Sequence, residues 1–309
     1  MVVLHGLVPG TGWECSGRQD VLVMSLGLIS AVAAAAPPVV VVESKVEQFR
    51  VAAKAAESHL SNAVEVEPSA PDLEAKLQGA PVVVAVGRRA LTAAREHAGN
   101  ATIVFCMVLG VTQNDLSGTI TGVPLEADPS AALTDLREVL PQAHKVGVVY
   151  DPAASALWVD RARKAADNAG LQLVLKAVLG GAQARDAVEG MASGLDALWL
   201  PPDPKLYSRE LSAYLLGMAS ERRLPLVGFL ESFTQAGALA SVSPNYADTG
   251  DRAGKLAAEL LAKPAEKRVP APPPVYAPGD LSLNLNTARA LGVEVPPEAV
   301  ARAGTHVFR

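Results

Sequence analysis

The residues of this chain best suited to chemistry stand directly behind short apolar runs. Gly87-Arg88-Arg89 follows Val82–Val86 and opens a helical stretch. Free backbone N–H groups at a helix start favour a carboxylate or another anion. An arginine facing the same space adds a planar, bidentate grip on an acidic group. The plainer reading is two exposed arginines on a first helical turn. Ser155 begins another helical stretch, where its hydroxyl either donates to a ligand carboxylate or caps the helix. Asp203 lies between Pro202 and Pro204, on a stiff loop, with a helix cap for 207–221 as its alternative role. These residues suit holding a charged small molecule rather than transforming one.

Catalytic signatures are missing from the sequence. There is no Gly-x-Ser-x-Gly elbow, no Walker A loop and no Gly-x-Gly-x-x-Gly run behind a strand. His59, His97, His144 and His306 are scattered, with no second ligand at metal spacing. Asp115 and Glu126 are two carboxylates whose relative placement the sequence does not give. Cys15 and Cys106 are the only cysteines, too few for a zinc cluster, and Cys106 reads as a small buried hydrophobe. The expectation is a protein that is not an enzyme and needs neither cofactor nor metal.

Such residues need a frame of buried strands. Half of the 309 residues are hydrophobic and only 4% aromatic, a valine- and alanine-rich composition that suits parallel strands covered by helices on both faces. The length suits two lobes. A net charge of −5 argues against a nucleic-acid partner, which needs a basic surface. The apolar run 21–36 ends in small residues and has signal-peptide length, so residues 1–36 read as an export leader. The Thr-Gly-Trp-Glu before Cys15 is not an apolar lipobox.

From Val39 onward, β-rich runs alternate with helical stretches. Strands are predicted at 39–42, 63–66, 82–86 and 103–108, with helices over 44–59, 71–77 and 91–97. A second series places helices over 129–140, 155–169, 182–191 and 208–221, and strands at 146–150, 171–177, 197–200 and 226–228. Gly170 is the stop signal of its helix. The alternation predicts parallel sheets with right-handed crossovers. A strand at 239–243, a helix over 246–261, the stiff Pro270–Pro274 segment and a strand at 281–285 imply several crossings between two halves.

An ordered set of segments then becomes informative. It comprises Thr121-Gly122-Val123-Pro124-Leu125, Lys145-Val146-Gly147-Val148-Val149-Tyr150, Pro201-Pro202-Asp203-Pro204 and Pro225-Leu226-Val227-Gly228. It continues through Gly237–Tyr246 and Leu283–Gly292 to Ala301-Arg302-Ala303. In this order and spacing the chain resembles the ABC-transporter substrate-binding family that includes tryptophan- and tyrosine-binding proteins, over about residues 82–303. The resemblance implies an α/β fold of two Rossmann-like lobes, each a mainly parallel sheet flanked by helices. A multi-strand hinge would join them with a cleft between, and the cleft would close on a ligand. It also implies that Asp203 holds a ligand ammonium. Arg88-Arg89 departs from the small, hydroxyl-bearing loop of such relatives, and the first loop is short.

In open α/β sheets, ligands lie beyond the carboxyl ends of the strands. On that rule the candidate ligand-binding residues are Ser44, Gly87, Arg88, Arg89, Met107, Tyr150, Asp151, Ser155, Asp203, Glu231, Ser243 and Tyr246. Residues 37–121 with about 237–265 are assigned to lobe 1, and 122–236 with about 275–309 to lobe 2. The expected function is the solute-binding component of an ABC importer, capturing a small polar molecule, amino-acid-like or anionic. The expected protein is a periplasmic or extracytoplasmic monomer that partners an ABC permease. The competing reading is a ligand-sensing or interaction module of the cell envelope, docked on a membrane receptor or kinase.

Overall fold

The computed structural model describes residues 36–309 except Pro204. The leader expected at residues 1–36, with Cys15, lies outside the described residues except for Ala36. The first strands form where valine runs are longest. β1 (Val39–Val42), β2 (Val64–Val66), β3 (Val82–Val86), β4 (Thr102–Cys106) and β5 (Ile120–Val123) make a five-stranded sheet in the order β2-β1-β3-β4-β5. Every pairing in it is parallel. β5 was not anticipated as a strand. It joins the sheet edge through Ile103–Ile120 to Cys106–Val123 register.

Alternate residues of these strands enter two separate cores. Val39, Val41, Val83, Ala85, Ile103 and Phe105 pack under α2 (Leu73–Leu77) and α3 (Arg88–His97). Val40, Val42, Val82, Val84, Val86 and Cys106 pack under α1 (Glu47–Glu57) and α9 (Tyr246–Leu261). This two-sided burial explains the unbroken valine runs. α1 and α9 approach closely because α9 carries glycine at two facing positions. A Cβ on Gly250 would lie 2.1 Å from the Ala52 carbonyl oxygen, and one on Gly254 2.4 Å from that of Ala56.

The second sheet has seven strands in the order β12-β11-β10-β9-β8-β6-β7. They are β6 (Lys145–Tyr150), β7 (Gln172–Ala177), β8 (Ala197–Trp199), β9 (Leu226–Gly228), β10 (Ala240–Ser243), β11 (Asp280–Asn284) and β12 (Val307–Phe308). Only β10 with β11 is antiparallel. Strands β7-β6-β8-β9-β10 repeat the order of the first sheet. One face packs on α4 (Pro129–Val139), α5 (Pro152–Ala169) and α11 (Pro297–Ala303); the other packs on α6 (Gly181–Met191), α7 (Arg209–Glu221) and α8 (Glu231–Gln235). α10 (Leu285–Leu291) follows β11 directly.

The chain passes between the sheets three times: from β5 into α4, from β10 into α9, and from the 270–279 segment into β11. The first and third passages are tied together. Ala127 bridges Ala277, the Asp128 N–H donates to the Ala277 carbonyl at 2.6 Å, and the Val275 N–H donates to the Gly122 carbonyl at 2.9 Å.

Two placements correct the sequence reading. Residues 237–265 do not stay together: β10 pairs with β9 and β11 in the second sheet, while only α9 returns to the first. Thr121 to Val123, split by the expected boundary, all belong to the first sheet. Local strand and helix signals do not say which sheet a strand joins; hydrogen-bonded register does.

Candidate functional site

Both sheets have the strand order that puts a switch point between their second and third strands, β1/β3 in one and β6/β8 in the other. Chains leave those points in opposite directions and open a crevice at the strand C-termini. Three adjoining cavities occupy the space between the two sets of strand ends. The central one, of about 240 Å3, takes Leu109 from behind β4, Leu125 and Glu126 from behind β5, Trp158 of α5, Trp199 of β8, Phe229 behind β9, Val242 of β10 and Tyr246 of α9. A second, of about 600 Å3, shares Leu109 and Leu125 and runs between α3 and the start of α5. A third, of about 550 Å3, shares Leu230, Pro244 and Tyr246 and runs toward β11.

The central walls are held in place. The Trp158 indole N–H donates to the Ala127 carbonyl at 3.1 Å, which fixes that ring to the first crossing. Its centroid lies 4.6 Å from that of Trp199 in a tilted pair. Phe229 lies 5.2 Å from Phe233 and 5.7 Å from Tyr207. Tilted aromatic contacts at such spacings favour one ring arrangement, so the apolar surface facing the cavity is set before any ligand arrives.

Glu126 is the one charged side chain among the described residues lining the central cavity. It is 5% exposed. Oε1 accepts the Gly110 N–H at 2.6 Å, while Oε2 is buried with no hydrogen-bond partner. Burial pushes the carboxyl up to about 7, against the lowering pull of backbone N–H groups at Glu126, Gly110 and Val111 and of the Arg88 charge. Tyr276 on the third crossing is its other ionisable neighbour. Burial raises that phenol, and the Glu126 charge raises it further.

The expected site residues separate into groups. Arg88 and Met107 line the second cavity; Tyr246 lines the central one; Glu231, Ser243 and Tyr246 line the third. Gly87, at φ +93°, turns β3 into α3, and a Cβ there would meet the Phe49 ring at 2.7 Å. Met107 also has positive φ, at 57°, a costly conformation for a side chain of its size.

The two arginines do not present free charge. Arg88 donates to Asp115 at 2.5 Å and to the carbonyls of Leu109 and Gly110 at 3.0 and 3.2 Å. It therefore staples the 109–115 turn to α3. Arg89 donates to Glu43 at 2.5 Å on the exposed rim. Asp115 and Glu126, which the sequence did not relate, meet through this turn: one holds Arg88, and the other holds Gly110.

Asp203 is likewise spoken for. It is 1% exposed. Oδ2 accepts Ser155 Oγ at 2.8 Å and the Asp151 N–H at 3.1 Å; Oδ1 accepts the N–H groups of Lys205 and Leu206 at 3.0 and 3.1 Å. Four donors fill the lone pairs of a carboxylate. In this structure it braces the loops behind β6 and β8. Ser155 is drawn into that brace, and Asp151 caps α5 instead, accepting the Ala153 N–H at 2.8 Å. Tyr150 ends β6, its carbonyl accepting the Val178 N–H. Ser44 gives both its N–H and hydroxyl to the Glu67 carboxylate, and Val46 rather than Ser44 occupies the cap position of α1. Glu231 pairs with His306 at 2.8 Å. Cys106 is a buried free thiol, pushed up to about 12 by burial.

Sequence reasoning missed Glu126, Trp158 and Trp199 as cavity residues. Glu126 had a signal, since it is the first charge after the uncharged run 116–125 and follows a strand end. The tryptophans had none. Trp158 lies within a long helix and Trp199 within a core strand, positions that read as packing.

A two-sheet α/β protein with an aromatic-walled cavity between its strand ends is built to bind a small solute. A family model described as ABC transporter substrate binding protein matches residues 47–307, and the chain belongs to that family. Among similar chains, a tyrosine-binding protein of Clostridioides difficile is 25% identical over 146 residues, 47% of this chain and 42% of that protein. The match thus spans less than half of that relative's length. A Streptococcus pneumonia ABC domain in complex with L-Trp has 20% identity and a TM-score of 0.57, covering 88% of this chain and 98% of the other. A ligand-free, open substrate-binding protein with adhesive properties from Clostridium difficile has 18% identity and a TM-score of 0.60, again over 88% and 98%. At these identities the structural likeness concerns the fold.

Proposed function

We propose that this protein is the solute receptor of an ABC importer. It works as an exported monomer that closes on an amino-acid-sized molecule with an apolar body and hands it to a membrane permease. The observation that carries this reading is the central cavity, walled from both sheets and bordered by the first two chain crossings. A ligand gripped from both sides favours the closed arrangement by its differential contacts with the two states. The Trp158, Trp199 and Phe229 walls suit a flat or branched apolar body, as aromatic amino acids have. The relatives said to bind tyrosine and L-Trp support that class. In this reading the chain performs no catalysis. Tyr246 borders the bound molecule, Arg88, Met107 and Ser243 line the adjoining cavities, and Gly87 shapes the turn that carries Arg88. Among the described residues no helix is long and apolar enough to cross a membrane.

Isothermal titration with the aromatic amino acids, branched amino acids and aryl acids tests the proposal. Saturable binding, accompanied by a smaller radius of gyration in solution scattering, is the expected result. Absence of binding across all three classes overturns it.

A further inference from the structure

Resting on the receptor reading, we propose that Glu126 selects the ligand by taking the ammonium of an aryl-alkyl amine on its free oxygen, so that an amine is required and a ligand carboxylate is not. Buried carboxyl oxygens almost always have a partner, because leaving one unpaired forfeits the hydration it had in water. Glu126 Oε2 has none, in a residue otherwise enclosed and lining the cavity. The remaining lining side chains are apolar apart from Tyr246. An incoming ammonium would give this oxygen a charge-assisted hydrogen bond in a dry setting, where such bonds are strongest.

Charge balance argues in the same direction. No cationic side chain lines the central cavity among the described residues. The guanidinium whose charge reaches Glu126, that of Arg88, is spent on Asp115 and two carbonyls, and Lys205 lines the adjoining cavity instead. The central cavity therefore complements a cation and offers a carboxylate little. The carboxyl's rise to about 7 fits this, since bringing in an ammonium would restore the ionised form.

A merely structural role for Glu126 would lie in its bond from Gly110, and Glu126→Gln separates the two. The glutamine carbonyl still accepts the Gly110 N–H, while the free oxygen becomes an NH2 group that repels an ammonium. Tryptamine, phenethylamine, L-tryptophan and indole-3-acetate are titrated calorimetrically into the wild type and this variant. The wild type is expected to bind the amines and L-tryptophan, with indole-3-acetate weaker by at least about tenfold; Glu126→Gln should lose about tenfold or more for the amines. Equal binding of indole-3-acetate and tryptamine, or unchanged amine affinity in a folded Glu126→Gln variant, overturns the inference. If the variant does not fold, the wild-type series decides. Binding of indole-3-acetate or L-tryptophan without tryptamine defeats this inference and leaves the receptor reading standing. Failure of all four, together with the amino acids and aryl acids above, defeats both.

Discussion

The turn behind β3 and the segment behind β5 belong to one loop cluster and handle charge in opposite ways. Arg88 and Arg89 lie at the surface, and their guanidinium groups end on protein acceptors, Asp115 and Glu43 foremost. Glu126 is buried, half satisfied, and lines an apolar chamber. The sequence draws the eye to the arginines, because two adjacent cations behind a strand look like an anion trap. The structure shifts the interest to the lone carboxyl. An exposed charge finds partners cheaply, whereas a buried one left open needs a reason to be there.

The comparison can be tested from its largest expected effect downward. If the walls rather than the charges hold the chamber open, Trp199→Ala should cost most. Trp199 is 2% exposed and packed against Trp158, so urea unfolding should show a loss of about 3–5 kcal/mol. Asp203→Ala comes next, at about 2–4 kcal/mol, because it strands four donors, two of them fully buried. A near-neutral result there would return Asp203 to the ligand.

Glu126 itself should make stability depend on pH. Its carboxyl is raised above the unfolded value, so the folded state holds the proton more tightly. The stabilisation is complete below pH 4.5 and is lost as pH rises through about 7. The span corresponds to at most about 3 kcal/mol. Asp135, raised to about 6 by burial against the pull of Arg302, adds a slope of the same sign. Glu126→Gln should therefore flatten the curve in part, as denaturant unfolding across that range would show. An unchanged slope would mean that the carboxyl is not buried as described.

Smaller effects belong to the arginines. Arg88→Ala frees Asp115 and two carbonyls and should cost about 1–2 kcal/mol, with Arg88→Lys recovering part of it, since an ammonium cannot span the same three acceptors. Arg89→Ala breaks only an exposed pair and should fall below about 1 kcal/mol in thermal melts. A larger effect for Arg89 than for Arg88 would reverse the order argued from burial.

Much of the frame was legible. β1, β3 and α9 fall at the residues their patterns mark, because unbroken valine runs and 3.6-residue periodicity are local properties. Gly170 ends α5 in the left-handed conformation that the sequence implies. Caps were less legible. Ser44 had a glutamate partner 23 residues away, Glu67, and Pro152 with Asp151 started α5 before Ser155 could. A hydroxyl or carboxylate takes whichever donor or acceptor the fold brings near, and spacing along the chain does not report that.

By itself, then, the sequence determined the alternating α/β frame, the two mainly parallel sheets and the family, since these follow from hydrophobic period and ordered short-range patterns. Only the tertiary structure decided that β10 joins the second sheet, that Arg88 and Asp203 are consumed by their own loops, and that Glu126 is left open among Trp158, Trp199 and Phe229. Those facts depend on residues far apart in sequence, Gly110 with Glu126 and Ser155 with Asp203 among them. Whether a polar group is spent or free is settled by such meetings in space.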